Sequence, residues 1–205
     1  MNRVDLKVVL LGNSEVGKTS LLERYVNERF NESMAYQNTI GAAYAAKNVE
    51  VDDKTITLGI WDTAGTERYN AMVRIYYRDA KAAIVCYDIT NQASFNRARV
   101  WIQELRSQEE ECKIYLCATK KDLIDNDQTP TPYEPSPSLE MVQRYADGIG
   151  SKFFITSSKT GENVAQLFQE IARDYASNPA NVIIEKTINL SVLSNNKKKH
   201  CCGKT

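Results

Sequence analysis

The sequence predicts an α/β fold: a mostly parallel six-stranded sheet with one antiparallel edge strand and helices on both faces. Apolar runs of strand length alternate with amphipathic stretches of helix length, an order that favours parallel strands joined by crossover helices. The runs 42–51 and 54–61 depart from this order, because only the turn Asp52-Asp53 separates them, and they predict a hairpin. That hairpin supplies the antiparallel edge of the sheet.

The individual elements follow from local patterns. Phe95, Ala98 and Ile102 recur at helical spacing and predict a helix over 94–109. Polar segments 30–41 and 62–69 predict loops, and segment 125–138 predicts a solvated loop insertion because it holds four of the five prolines. The other predicted strands are 3–11, 81–87, 113–118 and 152–156, and the other predicted helices are 17–28, a short helix with Met72, Ile75 and Tyr76, 139–149 and 163–175.

Length and charge limit the possible functions. The 205 residues suit one domain, 1–176, followed by a tail, 177–205. The net charge is zero, but the tail holds five lysines and one glutamate, so it carries +4 and the domain carries −4. An acidic domain argues against nucleic acid as the main partner, and a basic tail indicates an acidic surface as its partner.

The five cysteines do not indicate a disulfide framework. Cys86, Cys112 and Cys117 lie in or beside apolar runs, where they are expected to be small buried residues. Cys201 and Cys202 are adjacent and near the end of the chain. The sequence shows no signal peptide and no long apolar run, so a cytosolic protein with reduced thiols is expected.

Residues Gly12 to Thr19 fit the pattern G-x-x-x-x-G-K-[ST] of a phosphate-binding P-loop. The motif follows a predicted strand and precedes a predicted helix, which is the required setting. Gly12 and Gly17 allow the tight turn, and successive backbone N–H groups form an anion nest. Lys18 would reach the β- and γ-phosphates, and the Thr19 hydroxyl would bind Mg²⁺. The alternative is a strand–helix turn that binds nothing.

A second motif, Asp62-Thr63-Ala64-Gly65, ends the hairpin. An aspartate at the end of a strand can hold a Mg²⁺-bound water, as the Walker B aspartate does. Gly65 lets its backbone N–H approach a γ-phosphate. By itself this pattern is a common turn, but its distance from the P-loop makes it informative.

Five motifs occur in an order and at separations that resemble the Ras-like small GTPases: 12–19, 39–41, 61–65, 119–122 and 157–159. Segment 76–80 and the pair Cys201-Cys202 make the chain look like a member of the Rab family. Segments 37–43 and 58–61 look like the atypical twenty-fourth branch of that family. The resemblance covers residues 4–176 and the end of the tail, and it implies the P-loop small-GTPase fold.

The resemblance implies a site for GTP or GDP with Mg²⁺. Thr39 would be the switch threonine, with its hydroxyl beside Thr19 on Mg²⁺ and its N–H at the γ-phosphate, and Asp62 would complete the metal site. Loss of the γ-phosphate would release both switch loops. The residues that would contact the phosphates are Ser14, Glu15, Val16, Gly17, Lys18, Thr19, Ser20, Thr39 and Gly65.

The base would lie between two segments of the chain. A carboxylate can accept both donors on one edge of guanine, and Asp122 is the candidate; adenine presents an acceptor there and would be disfavoured. Lys120 and Lys159 would pack on the base faces, and the Ser158 N–H would meet O6. The other implied residues are Thr119, Ser157 and Phe30, for which a loop-core role is the alternative.

Two departures from the family pattern carry functional expectations. Thr119 stands where the family has asparagine, and its hydroxyl is shorter and has one donor, which predicts weaker nucleotide retention and relaxed base specificity. Thr66 stands where the family has the glutamine that orients the attacking water, which predicts very slow hydrolysis and a bias toward the GTP form. The expected catalytic residues are therefore Lys18, Thr39 and Thr66.

Two further departures are smaller. Glu15 places a carboxylate in the P-loop and is expected to point to solvent. Ala43 replaces a common acidic residue between the switch loops, which puts the docking of Rab escort and GDI-type chaperones in doubt. Effectors are expected at a switch surface, although core roles for Tyr44 and Tyr76 are the alternative. That surface comprises Ile40, Gly41, Tyr44, Trp61 and Tyr76.

The tail is expected to be a flexible linker that ends in a lipidation site, with docking of 182–194 on the domain as the alternative. Lysines 197–199 precede Cys201-Cys202, and stable anchoring needs two lipid chains or one chain plus basic residues. The resemblance implies geranylgeranylation of both cysteines, although the last four residues are not a C-a-a-X box. Metal binding by these cysteines with His200 is the alternative.

These observations together predict a slow GTPase switch on the cytosolic face of intracellular membranes. It would recruit effectors in vesicle traffic, in an autophagic or late endosomal setting, under an exchange factor and a GTPase activator. One alternative is a GTP-bound scaffold that hydrolyses almost nothing. Another is a P-loop ATPase or kinase, against which Asp122 and Ser158-Lys159 argue.

Overall fold

The computed structural model describes residues 4–31, 39, 41–65, 70–125 and 133–178, with the backbone only for 70–72. The strands are β1 Leu6–Leu11, β2 Ala42–Val51, β3 Lys54–Thr63, β4 Ala82–Asp88, β5 Lys113–Thr119 and β6 Lys152–Ile155. The helices are α1 Lys18–Asn27, α2 Asn70–Tyr77, α3 Gln92–Gln108, α4 Leu139–Gly148 and α5 Val164–Ser177. A short 3₁₀ helix spans Lys121–Leu123.

The six strands form one sheet in the order β2-β3-β1-β4-β5-β6. All neighbours are parallel except β2 and β3, whose antiparallel ladder runs from Ala42 opposite Thr63 to Val51 opposite Lys54. Only Asp52 and Asp53 join the two strands, and Asp52 takes a left-handed conformation with φ 50°. The predicted α/β class, with its antiparallel edge strand, is therefore confirmed.

Each face of the sheet packs against its own layer of helices. One core contains Leu21 of α1 and Phe168 of α5, and the rings of Tyr25 and Phe168 stack with centroids 3.7 Å apart. The other contains side chains of α2, α3 and α4, among them Trp101 and Val142. The predicted burial of three cysteines is confirmed, and all three are free thiols: Cys86, Cys112 and Cys117.

Most element boundaries differ from the sequence prediction by one to three residues, and side-chain contacts explain two of these differences. β3 continues two residues past Trp61, because Thr63 pairs with Ala42 and donates its hydroxyl to the Leu10 carbonyl at 2.6 Å. The predicted loop 62–69 thus begins as a strand. α3 begins at Gln92, two residues before the predicted start at 94, because the Asn91 side chain accepts from the Ser94 N–H and caps the helix there.

The proline-rich insertion has neither helix nor strand where the structure describes it, at 133–138, and residues 126–132 lie outside the described part. It is attached to the body by the Ser136 N–H, which donates to the Ile89 carbonyl at 2.8 Å. Ser138 then caps α4. Residues 179–205, with the predicted linker and the lipidation site, lie outside the described part. Among the helices described, none has the length and apolar character needed to span a membrane.

Candidate nucleotide site

The P-loop connects β1 to α1 in a conformation that needs glycine at two positions. Gly12 has φ 143°, and a Cβ there would lie 2.3 Å from the Cys86 carbonyl oxygen. Gly17 has φ 92° and is the N-cap of α1. The helix therefore begins with its free N–H groups directed into the loop, where they favour an anion.

Lys18 is the buried cation of this loop. It is 6% exposed, and its ammonium donates to the carbonyls of Gly12 at 2.9 Å and Asn13 at 2.8 Å. Burial lowers the pKa of Lys18, and the charge of Asp62 opposes that shift. An ammonium has three donors, and these two carbonyls account for two of them.

Three segments bring their oxygen atoms together beside Lys18. The Thr19 hydroxyl donates to Asp62 Oδ2 at 2.6 Å and lies 3.0 Å from the Thr39 hydroxyl. Asp62 is fully buried, and its second oxygen, Oδ1, has no hydrogen-bond partner among the residues that the structure describes. Burial raises the pKa of Asp62, while the Thr19 hydroxyl and the Lys18 charge oppose the rise.

These residues fit a hard divalent cation. Two hydroxyls and a carboxylate are oxygen donors of the kind that Mg²⁺ accepts, and a buried carboxylate oxygen without a partner needs a positive or donating group nearby. Thr19, Thr39 and Asp62 are the three residues that the sequence predicted for the metal, and the structure brings all three together.

Gly65 contacts the P-loop backbone directly. A Cβ at this position would lie 2.5 Å from both the Asn13 carbonyl oxygen and the Ser14 nitrogen, so no side chain fits. The neighbouring Ala64 N–H donates to the Gly41 carbonyl at 2.9 Å, which joins the two predicted switch segments. The two motifs found in the sequence, P-loop and Asp62–Gly65, therefore form one site.

The remaining residues predicted to contact the phosphates lie in the P-loop or directly after it. Val16 is buried, Ser14 and Ser20 are half-buried, and Glu15 is exposed with φ 65°, as expected for a carboxylate directed to solvent. Thr66 and Ile40 lie outside the described residues.

On the base side, Thr119 joins two main-chain segments. It is 1% exposed, and its hydroxyl lies 2.5 Å from the Val16 carbonyl oxygen and 2.9 Å from the Tyr87 carbonyl oxygen, either of which accepts its single proton. Although its side chain is shorter than that of asparagine, Thr119 therefore still connects this segment to the P-loop. The prediction of weaker nucleotide retention stays a prediction.

The other base-side residues are also held by the protein. The Lys120 ammonium forms an ion pair with Asp88 Oδ2 at 2.7 Å, and the Ser157 hydroxyl donates to Asp122 Oδ1 at 2.5 Å. Ser157 Oγ in turn accepts from the Thr160 N–H at 3.1 Å. The segments 119–122 and 157–159 are therefore brought together as predicted.

Two further residues predicted for the base are exposed. Lys159 is exposed, and Phe30 is 38% exposed, which argues against the alternative that Phe30 is a loop-core residue. Ser158 is buried at 8%.

The sequence analysis missed two residues that hold the base side in place. Asp88 pairs with Lys120, and Arg24 of α1 donates to the carbonyls of Ser158 and Lys159. The signal for Asp88 was its place at the carboxyl end of β4, where ligands bind in such sheets. No motif marks Arg24, because its partners are main-chain carbonyls far away in the sequence.

Three aromatic residues of the predicted effector surface, Tyr44, Trp61 and Tyr76, contact one another and form an aromatic cluster. The ring centroids of Tyr44 and Trp61 are 5.0 Å apart, and those of Trp61 and Tyr76 are 5.6 Å apart. Tyr44 is 50% exposed, so it is not a core residue. Gly41 lies beside the cluster, because a Cβ there would be 3.5 Å from the Tyr76 hydroxyl.

Comparison with known proteins agrees with this geometry. The Ras family model matches residues 7–177. The chain is 43% identical to the Ras-related protein Rab-24 of Dictyostelium discoideum over 206 aligned positions, 98% of each chain. It is 43% identical to the Ras-related protein RABF2b of Arabidopsis thaliana over 171 positions, 83% of this chain and 80% of the relative. It is 38% identical to RABF2a of the same plant over 206 positions, 98% and 96% of the two chains.

The family match, the relatives and the sheet order lead to the same assignment. The chain belongs to the Ras family of small GTPases, and within that family it is a Rab-type protein.

Proposed function

We propose that this Rab-type GTPase is a guanine-nucleotide switch with unusually slow hydrolysis, and that its GTP form recruits effectors at intracellular membranes. The observation that carries the nucleotide part is the meeting of Thr19, Thr39 and Asp62 beside the buried Lys18. This assembly joins the P-loop to both segments that respond to a γ-phosphate.

The reaction is attack of water on the γ-phosphorus of GTP, with release of GDP and phosphate. Lys18 would neutralise charge on the β- and γ-phosphate oxygens, and the N–H groups of Thr39 and Gly65 would donate to the γ-phosphate. Thr19, Thr39 and Asp62 would hold Mg²⁺, which when bound supplies positive charge to the phosphate oxygens. Positioning and electrostatic stabilisation account for most catalysis of this kind.

The base side supports guanine as the base. Asp122 is held at one oxygen by Ser157, which orients a carboxylate that could accept the N1–H and the N2 amine of guanine. The ammonium of Lys120 is held by Asp88, so its apolar stem could lie along one face of the base. Phe30 and Lys159 are exposed, so they could contact the edge and the other face of the base.

Slow hydrolysis rests on Thr66, which lies outside the described residues. A threonine side chain is too short to orient the attacking water as glutamine does. The test is single-turnover hydrolysis of γ-labelled GTP by the wild type and by Thr66→Gln. We expect the wild type to be slow and Thr66→Gln to be faster by at least about tenfold, since an orienting residue acts on the transition state.

The second candidate is a GTP-bound scaffold that hydrolyses almost nothing, and Thr66 is also the observation that favours it. If both proteins retain GTP and are equally inert, the hydrolase proposal fails and the scaffold replaces it. If the wild type is already as fast as Thr66→Gln, the proposed brake is wrong. Filter binding of labelled GTP in the same samples separates inactivity from loss of nucleotide.

The effector surface is proposed on the exposed side of the aromatic cluster. Tyr44 offers a half-exposed ring next to Trp61, and Ile75 of α2 is 69% exposed. Large apolar and aromatic side chains on a surface that changes with the nucleotide suit an effector hot spot. Ile40 and Gly41 complete the proposed surface. An exchange factor and a GTPase activator would act at the same switch segments.

Membrane attachment is proposed through Cys201 and Cys202, which lie outside the described residues. Lipidation of both thiols beside lysines 197–199 would anchor the chain to an anionic leaflet. Rab escort and GDI-type chaperones would handle the lipidated protein, with docking weakened by Ala43. A role in autophagic or late endosomal traffic is part of the proposal, because the switch sequences resemble the twenty-fourth Rab branch.

A further inference from the structure

Each of the three nitrogens of the Arg24 guanidinium donates a hydrogen bond to a main-chain carbonyl. Nε donates to the Ser158 oxygen at 2.6 Å, Nη2 to the Lys159 oxygen at 2.8 Å and Nη1 to the Glu28 oxygen at 3.0 Å. Each of the three nitrogens thus has its own acceptor. Such charge-assisted bonds from a planar group fix both position and orientation.

Two of these carbonyls belong to the loop that would meet the base. Arg24 comes from α1, 134 positions before Ser158, so the contact joins distant parts of the chain. The stem of Arg24 also packs on this loop, since a Cβ at Gly161 would lie 3.8 Å from Arg24 Cδ. Ser157 in the same loop orients Asp122, so a shift of the loop would move the base-recognising carboxylate as well.

The third carbonyl belongs to Glu28, two residues before Phe30, which is the residue predicted for the base edge. Glu28 ends α1 in a left-handed conformation with φ 55°, and its N–H donates back to the Arg24 carbonyl at 3.1 Å. The chain then reaches Phe30 two residues later. Arg24 therefore fixes the turn that leads to Phe30 together with the loop that contains Ser158 and Lys159.

We infer that Arg24 is a positioning residue for the guanine base, acting through the loop with Ser158 and Lys159 and through the turn before Phe30 rather than by touching the nucleotide. Because α1 also begins with Lys18 and Thr19, the same helix links the phosphate contacts to the base contacts. This inference rests on the proposed nucleotide function and names a residue that no motif assigns.

The test compares Arg24→Met, Arg24→Lys and the control Arg144→Met. Methionine keeps much of the Arg24 stem and loses all three donors. Lysine keeps the charge but replaces a planar fork by a single ammonium, which serves fewer carbonyls at once. Arg144 is an arginine on α4 whose side chain is 74% exposed and pairs only with the exposed Glu140 among the described contacts.

Three quantities are measured for the full chain: dissociation of fluorescent GDP, the affinity for inorganic pyrophosphate by competition, and thermal unfolding with and without GDP. We expect Arg24→Met to release GDP at least about tenfold faster, the factor that corresponds to one charge-assisted hydrogen bond. Arg24→Lys should be intermediate and Arg144→Met unchanged. Pyrophosphate affinity should stay the same, because the hydrogen bonds that the structure describes for Arg24 go to the carbonyls of Ser158, Lys159 and Glu28, which lie outside the P-loop.

Two results would overturn the inference. One is a rate of GDP dissociation from Arg24→Met that equals the wild-type rate. The other is equal loss of GDP and pyrophosphate affinity, which would show that Arg24 merely stabilises α1. If Arg24→Met does not fold, Arg24→Lys decides the matter by the same two criteria. The hydrolysis experiment above tests the proposed function separately, because GDP dissociation does not involve the hydrolytic step.

Discussion

The phosphate side and the base side of the site are built in different ways. On the phosphate side, the described part of the chain uses the polar groups only partly: within it Asp62 Oδ1 has no hydrogen-bond partner, and Lys18 donates to two carbonyls although an ammonium has three donors. On the base side, Thr119 and Lys120 are both engaged with the chain itself, through a main-chain carbonyl and through Asp88.

This difference indicates where each family departure acts. An incompletely satisfied phosphate side gains most from a bound ligand, so we expect a change such as Thr66 to act on the chemistry of that ligand. A base side held by internal contacts is preorganised, so we expect a change such as Thr119 to act on the main-chain contacts that hold the base-side segments in place. The two departures should therefore have separable effects, on the hydrolysis rate and on nucleotide retention.

The largest expected effect tests the phosphate side. Lys18→Met should weaken both GTP and GDP binding by at least about a hundredfold, since removing one partner of a buried charge contact costs about 2–5 kcal/mol. Titration with fluorescent GDP and GTP analogues measures it. Lys81→Met is the matched control, because Lys81 pairs with Glu111 on the surface, where the two side chains are 55% and 88% exposed. If Lys18→Met bound GDP and GTP with wild-type affinity, Lys18 would not contact the phosphates.

The sequence predicted the phosphate side more completely than the base side. Glycine, lysine and threonine at fixed spacing determine a P-loop, so local chemistry was enough there. The frame of the base side depends on main-chain carbonyls contacted across long sequence distances: Thr119 reaches Val16, 103 positions away. Carbonyl acceptors carry no residue signature, so Arg24 and Asp88 were found only in the folded chain.

A smaller effect is expected for the contacts through which Thr119 holds the base side in place. Thr119→Val keeps the shape of the side chain but removes the hydroxyl from the carbonyls of Val16 and Tyr87. The free energy of unfolding should fall by about 1–3 kcal/mol, the cost of a buried acceptor left without its donor, and GDP should dissociate faster. Urea unfolding and fluorescent GDP release measure the two effects.

Thr119→Ser is the control for this substitution, because it keeps the hydroxyl and should retain most of the stability and of the GDP affinity. Thr119→Val with the stability of the wild type would show that the hydroxyl does not hold the frame. Faster hydrolysis of bound GTP in Thr119→Val would contradict the separation between the two sides.

The smallest expected effect concerns Asp88, which holds Lys120. Burial alone would raise the pKa of Asp88, but hydrogen bonds from Lys120 and Thr90 outweigh it and lower the pKa below the usual value. A depressed carboxyl pKa adds stability that is complete above the unfolded pKa of about 4 and is lost as the pH falls through the folded value. Acid should therefore loosen the base side through this pair.

Asp88→Asn should lose less than about 1 kcal/mol at neutral pH, since the pair is partly exposed, and should show a shallower loss of stability below about pH 4. Urea unfolding at a series of pH values from neutral downward measures the stability of the wild type and of Asp88→Asn and the slope of each with pH. Asp53→Asn on the exposed hairpin turn is the control and should follow the wild-type slope. If Asp88→Asn also follows the wild-type slope, Lys120 is held without help from the charge of Asp88, and the base side is less tightly built than its contacts indicate.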